Sequence, residues 1–172
     1  ALVTGWSMAG CQSYQWAAQY PNMVKAILPF CASSKNITYT VAGDNNKKNS
    51  LNILNSIAKY ADILELGFPH NTPIADGGQI QTSSYRALKS GIKLRDVFKI
   101  VKNFKKINPS KPLILMGYYN IIYQKGENIF LKDCKSAGVD GLIIVDLPWP
   151  ENKVFSNKCK KKSIEFIQLL SP

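Results

Sequence analysis

The chain has 172 residues, enough for one domain with a real core, and 45% of them are hydrophobic. It carries 22 Lys and Arg against 11 Asp and Glu, a formal net charge of +11, and a single histidine. No stretch is long and apolar enough to span a bilayer, the four cysteines lack C-x-x-C spacing, and the lysines lack the interleaved aromatics of a nucleic-acid surface.

In chain order, Ala1–Thr4 reads as an apolar strand, Gly5-Trp6-Ser7-Met8-Ala9-Gly10 as a tight turn and Ala9–Gln19 as a helix, which Pro21 follows; Val24–Phe30 is apolar again. A second, unlike piece joins this one near Ser33–Asn36. Strand Ile37–Ala42 precedes helix Ser50–Ala61, whose Leu51, Leu54, Ile57, Ala58 and Ala61 mark one face. Strand Asp62–Leu66 is followed by helical segments over Ile80–Lys89 and Leu94–Lys106, the latter with Leu94, Val97, Phe98, Val101 and Phe104 at helical spacing. Strand Pro112–Met116, helix Asn128–Ser136, strand Gly141–Val145, helix Glu151–Lys161 and strand Ile164–Leu170 complete the series. Strands alternating with helices at this spacing predict an α/β protein of parallel β-α units with right-handed crossovers. The scattered lysines, with one cluster at Lys158–Lys162, read as solvated helix faces. Cys11, Cys31, Cys134 and Cys159 read as reduced thiols, and the cytoplasm is the default compartment.

Two carboxylates stand out in Ala61–Gly77 (ADILELGFPHNTPIADG). Glu65 reads as the carboxyl end of an apolar strand and Asp76 as part of the loop behind it. An acid among apolar residues is costly unless it is paired, hydrogen-bonded or protonated. Either Glu65 is a rim residue in a salt bridge, or it belongs to a functional site that tolerates the cost. Asp44, Tyr118, Asn120 and Asp146 also fall at or just after strand ends, where parallel α/β proteins gather their working groups. For Asp44 and Asp146 the need to begin a loop with a polar residue is explanation enough, and Tyr118 reads equally well as packing.

ELG-x-P followed by P-x-ADG resembles the signature of the tryptophan synthase alpha subunit family. Further segments resemble that family in order and spacing: Ile37–Asp44 (ITYTVAGD), Ala75–Leu88 (ADGGQIQTSSYRAL), Leu113–Asn120 (LILMGYYN), Ala137–Pro148 (AGVDGLIIVDLP) and Phe166–Pro172 (FIQLLSP). The resemblance, over about residues 37–172, implies the first five units of a (β/α)8 barrel, a fold that needs about 250 residues when whole. It implies a carbon–carbon lyase cleaving indole-3-glycerol phosphate to indole and glyceraldehyde 3-phosphate, without a cofactor of its own. It also implies a pyridoxal-phosphate-dependent beta subunit as partner. Glu65 would carry the proton transfer, Asp76 would meet the indole N–H, and Tyr118 and Asn120 would line the substrate. Phe68-Pro69-His70-Asn71-Thr72-Pro73 departs from the family's usual loop, which helps contact the beta subunit, and Gly78-Gln79 replaces the usual Pro and apolar residue. The family's phosphate cradle and mobile loop belong to its last three strands, so a chain cut at both ends and weakly active or inactive is expected.

The first piece matches the strand–turn–helix of a nucleophile elbow in relaxed form, with Ser7 at the turn. Together with YQWAAQYPNMVKAILPFCAS it resembles the homoserine O-acyltransferase branch of the α/β hydrolases, over about residues 1–35. A triad would need a histidine base, and the single histidine, His70, lies in the other piece's loop as a solvent-facing or stacked residue. The expected organisation is an α/β-hydrolase-like β-α-β piece (1–35) before a partial barrel (37–172). Ser7 is expected to be inert; an acyltransferase fragment or a catalytically dead partner-binding module are the rival functions.

Overall fold

A computed structural model describes residues 2–6, 22, 26–30, 37–44 and 46–169. Ser7, the expected helix Ala9–Gln19, the join at Ser33–Asn36, Cys11 and Cys31 lie outside the described residues. The chain divides into two compact units. In the first, strand β1 (Leu2–Trp6) pairs in parallel with β2 (Ala26–Phe30), in register from Leu2 opposite Ala26 to Trp6 opposite Phe30.

The second unit is built on a five-stranded parallel sheet in sequence order: β3 (Ile37–Val41), β4 (Ile63–Gly67), β5 (Leu113–Gly117), β6 (Gly141–Ile144) and β7 (Glu165–Ile167). Sequential parallel neighbours joined through helices are the arrangement of a β/α barrel's first five units. The helices are α1 (Lys47–Ile57), α2 (Gly78–Lys89), α3 (Leu94–Ile107), α4 (Tyr119–Lys125), α5 (Glu127–Ala137) and α6 (Lys153–Lys161).

Period-two alternation gives the sheet two different faces. Leu64 is level with Leu113 and Leu66 with Leu115, which faces Leu142 in turn, and all five are fully buried. The other face of β4 carries Ile63 and Glu65, with Ile114 level with Glu65 and Met116 level with Gly67. There burial is partial at Ile63, Glu65 and Met116.

The leucine face packs under the helices. Helix α3 supplies Val97, Ile100, Val101 and Phe104 to the core while Lys99, Lys102 and Lys106 face water. That 3.6-residue stripe is why the sequence reads as helix at all. Removing the Phe104 side chain from water alone stabilises by about 2–3 kcal/mol. Phe130 joins Phe68 and Phe98 edge to face at 5.9 and 5.7 Å. Cys134 and Cys159 are buried free thiols, and burial pushes both up, Cys159 to about 12, which makes them packing residues.

Boundaries depart from expectation where a cap decides them. Helix α1 begins at Lys47, three residues before the expected start at Ser50, because the Asn46 side chain accepts from the Asn49 backbone N–H at 2.8 Å. Helix α5 stops where Gly138 takes φ +89° and its N–H bonds the Cys134 and Lys135 carbonyls, a left-handed turn that suits glycine. Helix α4 was not expected from the sequence; its first N–H, at Tyr119, is capped from a distance by Asp146 at 2.7 Å.

Candidate active site

Strand β4 continues through Gly67, and Phe68 N–H still donates to the Met116 carbonyl at 2.9 Å. Glu65 is therefore the third of five strand residues, not the last, and projects from the less-covered face beside Ile114. With apolar neighbours and little water to solvate a charge, its carboxyl is pushed up to about 7, first by burial and then by the Asp76 carboxylate nearby. Among the described residues no cation forms a salt bridge with it, so the rim ion-pair reading does not describe Glu65. By contrast Asp44, Asp96, Asp133, Asp140 and Glu127 each have a lysine or arginine partner.

Asp76 sits in the loop between β4 and α2, and that loop is tied down. Tyr118, one residue past β5 and only 5% exposed, donates its hydroxyl to Asp76 Oδ2 at 2.9 Å. The Tyr118 phenol oxygen in turn accepts from the Ala75 backbone N–H at 3.1 Å. Asp76 N–H donates to the Pro73 carbonyl at 3.1 Å, and Gln81 Nε2 donates to the Asp76 carbonyl at 2.8 Å. Burial and the Asp76 bond push the Tyr118 phenol up to about 12, so it stays a proton donor across the physiological range. The His70 ring stacks on Tyr118 at 4.8 Å and 26°, which settles its place as a stacked loop histidine.

Three other candidates are engaged elsewhere or exposed, although the Asp146 carboxylate is near enough to act on the Tyr118 phenol. Asn120 is exposed in the first turn of α4 and makes no hydrogen bond to Glu65, Asp76 or Tyr118. Asp44 accepts from Ser83 at 2.6 Å and from both Arg86 Nε and a terminal nitrogen at 2.7 Å, bracing the β3 loop against α2. Asp146 caps α4, a task legible only once β5 and β6 are side by side. The link that sequence reasoning did not specify is the His70–Tyr118–Asp76 chain, whose members are separated by up to 48 residues. No group of three or more His, Cys, Asp or Glu among the described residues is placed to hold a metal, and no described helix is long and apolar enough to cross a membrane.

The tryptophan synthase alpha chain family model matches residues 32–172, extending a few residues before Ile37. The chain is 74% identical over 136 residues to the tryptophan synthase alpha chain of Pelagibacter ubique, covering 79% of this chain and 51% of that protein. It is 46% identical to the alpha chain of Pyrococcus furiosus over 79% of this chain and 54% of that one. A solved structure of the tryptophan synthase a2b2 complex from Pyrococcus furiosus superposes with a TM-score of 0.77, at 46% identity, over 80% of this chain and 58% of its own. The chain thus spans about half the length of the curated relatives it matches. With the five-stranded parallel sheet, the family match over most of its length and this close identity, the chain belongs to the tryptophan synthase alpha chain family.

Proposed function

We propose that the chain acts in tryptophan biosynthesis as a carbon–carbon lyase, cleaving indole-3-glycerol phosphate to indole and glyceraldehyde 3-phosphate. The observation that carries this is Glu65, a carboxyl raised to about 7 on a strand face, with no cationic partner among the described residues and set beside a hydrogen-bonded Asp76 carboxylate. The reaction breaks the bond between indole C3 and the glycerol chain. A proton is added at C3, the ring nitrogen gains positive character, a base takes the glycerol hydroxyl proton as the carbonyl forms, and the carbon–carbon electron pair returns to the ring. A carboxyl near pH 7 populates both forms, so Glu65 can give the C3 proton and accept one later. Asp76 receives the indole N–H, where a carboxylate stabilises the developing charge. Tyr118 holds Asp76 and walls the site, while Asn120, on the exposed start of α4, reaches substrate only from the mouth.

No cofactor of its own is needed for this proton chemistry. The partner is a pyridoxal-phosphate-dependent beta subunit, approached through the loop after β4, whose Ile74 is 82% exposed; the compartment is the cytoplasm. The acyltransferase reading gains no support, because the one histidine is engaged with Tyr118 and Thr72 rather than offered as a base. The test is indole release from indole-3-glycerol phosphate by the purified chain, alone and with a beta subunit, beside Glu65→Gln. Glu65-dependent indole is expected; beta-subunit binding without any indole would reduce the chain to a partner-binding module.

A further inference from the structure

The chain's single histidine lies in the loop that carries Asp76, and both of its faces of interaction are defined. One ring face stacks on Tyr118 at 4.8 Å and 26°. In the ring plane, Nδ1 accepts from the Thr72 backbone N–H at 3.0 Å, so in the neutral ring the proton resides on Nε2. Behind it, Phe68 and Pro69 are buried and anchor the start of the loop. At the loop's far end the Tyr118 hydroxyl joins Asp76 Oδ2 and the Ala75 N–H.

One phenol from the end of β5 therefore clasps both ends of the loop: His70 presses on its face, and Ala75 and Asp76 bond its tip. The hydroxyl lies on the ring's own flip axis and is displaced when the ring swings about the Cα–Cβ bond, and the stacked His70 ring opposes that swing from the loop side. We propose that His70 is a positioning residue for the Asp76 carboxylate, its ring packed on Tyr118 so that the phenol hydroxyl stays aimed at Asp76. The inference rests on the lyase reading only where it says what a positioned Asp76 is for, namely meeting the indole N–H. The bond from Thr72 fixes the rotation of the imidazole, so a ring without Nδ1 keeps the stack while losing one restraint.

The test follows the Glu65 carboxyl of the whole chain by 13C NMR titration in His70→Ala and His70→Phe, each with and without Asp76→Asn. Both variants lack the imidazole charge, so the difference between them reports the ring alone. The expected result is a Glu65 midpoint lower by about half a pH unit in His70→Ala than in His70→Phe, since a released Asp76 no longer holds its charge near Glu65. In the Asp76→Asn background that difference should vanish, the signature of an effect that acts through Asp76. Equal midpoints in the two variants overturn the proposal. So does a difference that survives Asp76→Asn, because the ring would then act by shielding Glu65 from water. In turnover, kcat is expected to fall about fivefold in His70→Ala relative to His70→Phe with KM little changed. A wild-type chain that releases no indole but shows the titration pattern overturns the lyase reading and leaves the positioning role standing.

Discussion

Replacing Glu65 with Gln removes a carboxyl that burial in the second unit holds away from its ordinary charge state. The folded-state pKa is raised from 4.5 to about 7. At about 1.4 kcal/mol per pH unit, ionising this group in the folded state costs at most about 3 kcal/mol of stability. The sign follows from the direction of the shift. Below pH 4.5 the carboxyl is neutral in both folded and unfolded chains and costs nothing. Between pH 4.5 and about 7 the unfolded chain ionises while the folded one does not, and stability falls steadily. Above about 7 both are ionised and the loss is complete. Gln is neutral throughout and fills nearly the same space, so the variant should match the wild type at pH 4 and exceed it by up to about 3 kcal/mol at pH 8. Urea unfolding of both proteins at intervals from pH 4 to pH 8.5 measures the difference, and effects of titrating groups that do not interact with Glu65 cancel. A stability difference that stays flat across that range would refute the reasoning, since it would mean that Glu65 titrates alike in folded and unfolded chains.

Asp76→Asn removes the second cause of the Glu65 shift, so the Glu65 midpoint should move below about 7 in a 13C NMR titration while burial keeps it above 4.5; no movement would show that the two carboxylates do not sense each other. Gly117→Ala places a Cβ 2.1 Å from the Phe68 ring, which must give up its edge-to-face contact with Phe130, and should cost about 1–3 kcal/mol, read as a drop of several degrees in Tm. Asn46→Ala deletes the side-chain cap of α1 and should lower stability by about 1 kcal/mol, seen as an earlier urea midpoint with an unchanged slope.

The alternation of strands and helices from Ile37 onward was legible because each element there carries its own periodicity: Leu64 and Leu66 on one side of Glu65, or the Val97–Phe104 stripe of α3. Helix α4 was not, because YNIIYQK is short, has one buried residue, and is started by an Asp146 oxygen that arrives from 27 residues downstream. The strand end at Gly67 was misplaced for a related reason. Glycine is a loop signal in isolation, and only pairing with Met116 keeps it in the ladder. Within the site, Glu65 and Asp76 were visible as types and spacing, and Tyr118 as a strand-end residue. That Tyr118 bonds Asp76 and takes His70 on its ring depends on β5 lying beside β4, which no local pattern encodes. Asn120 was selected by the same strand-end logic and lies on the exposed turn of α4, so position along the chain alone did not separate clasp from rim.

The two carboxylates stand in opposite relations to their surroundings, and that contrast is the strongest argument that they work together. Elsewhere in the second unit Asp44, Asp96, Asp133, Asp140 and Glu127 are each met by a lysine or arginine. Around Asp76 the fold supplies a hydrogen bond from a phenol instead, which steadies a carboxylate without cancelling its charge. Around Glu65 it supplies apolar side chains and the uncancelled charge of Asp76, which together oppose ionisation. An arrangement selected for stability alone would place a cation between them or an apolar residue at 65. A carboxyl raised to about 7 beside a second carboxylate held by a phenol is the arrangement that the proposed proton transfer to an indole ring would use, the first group being able to give and take a proton near neutral pH.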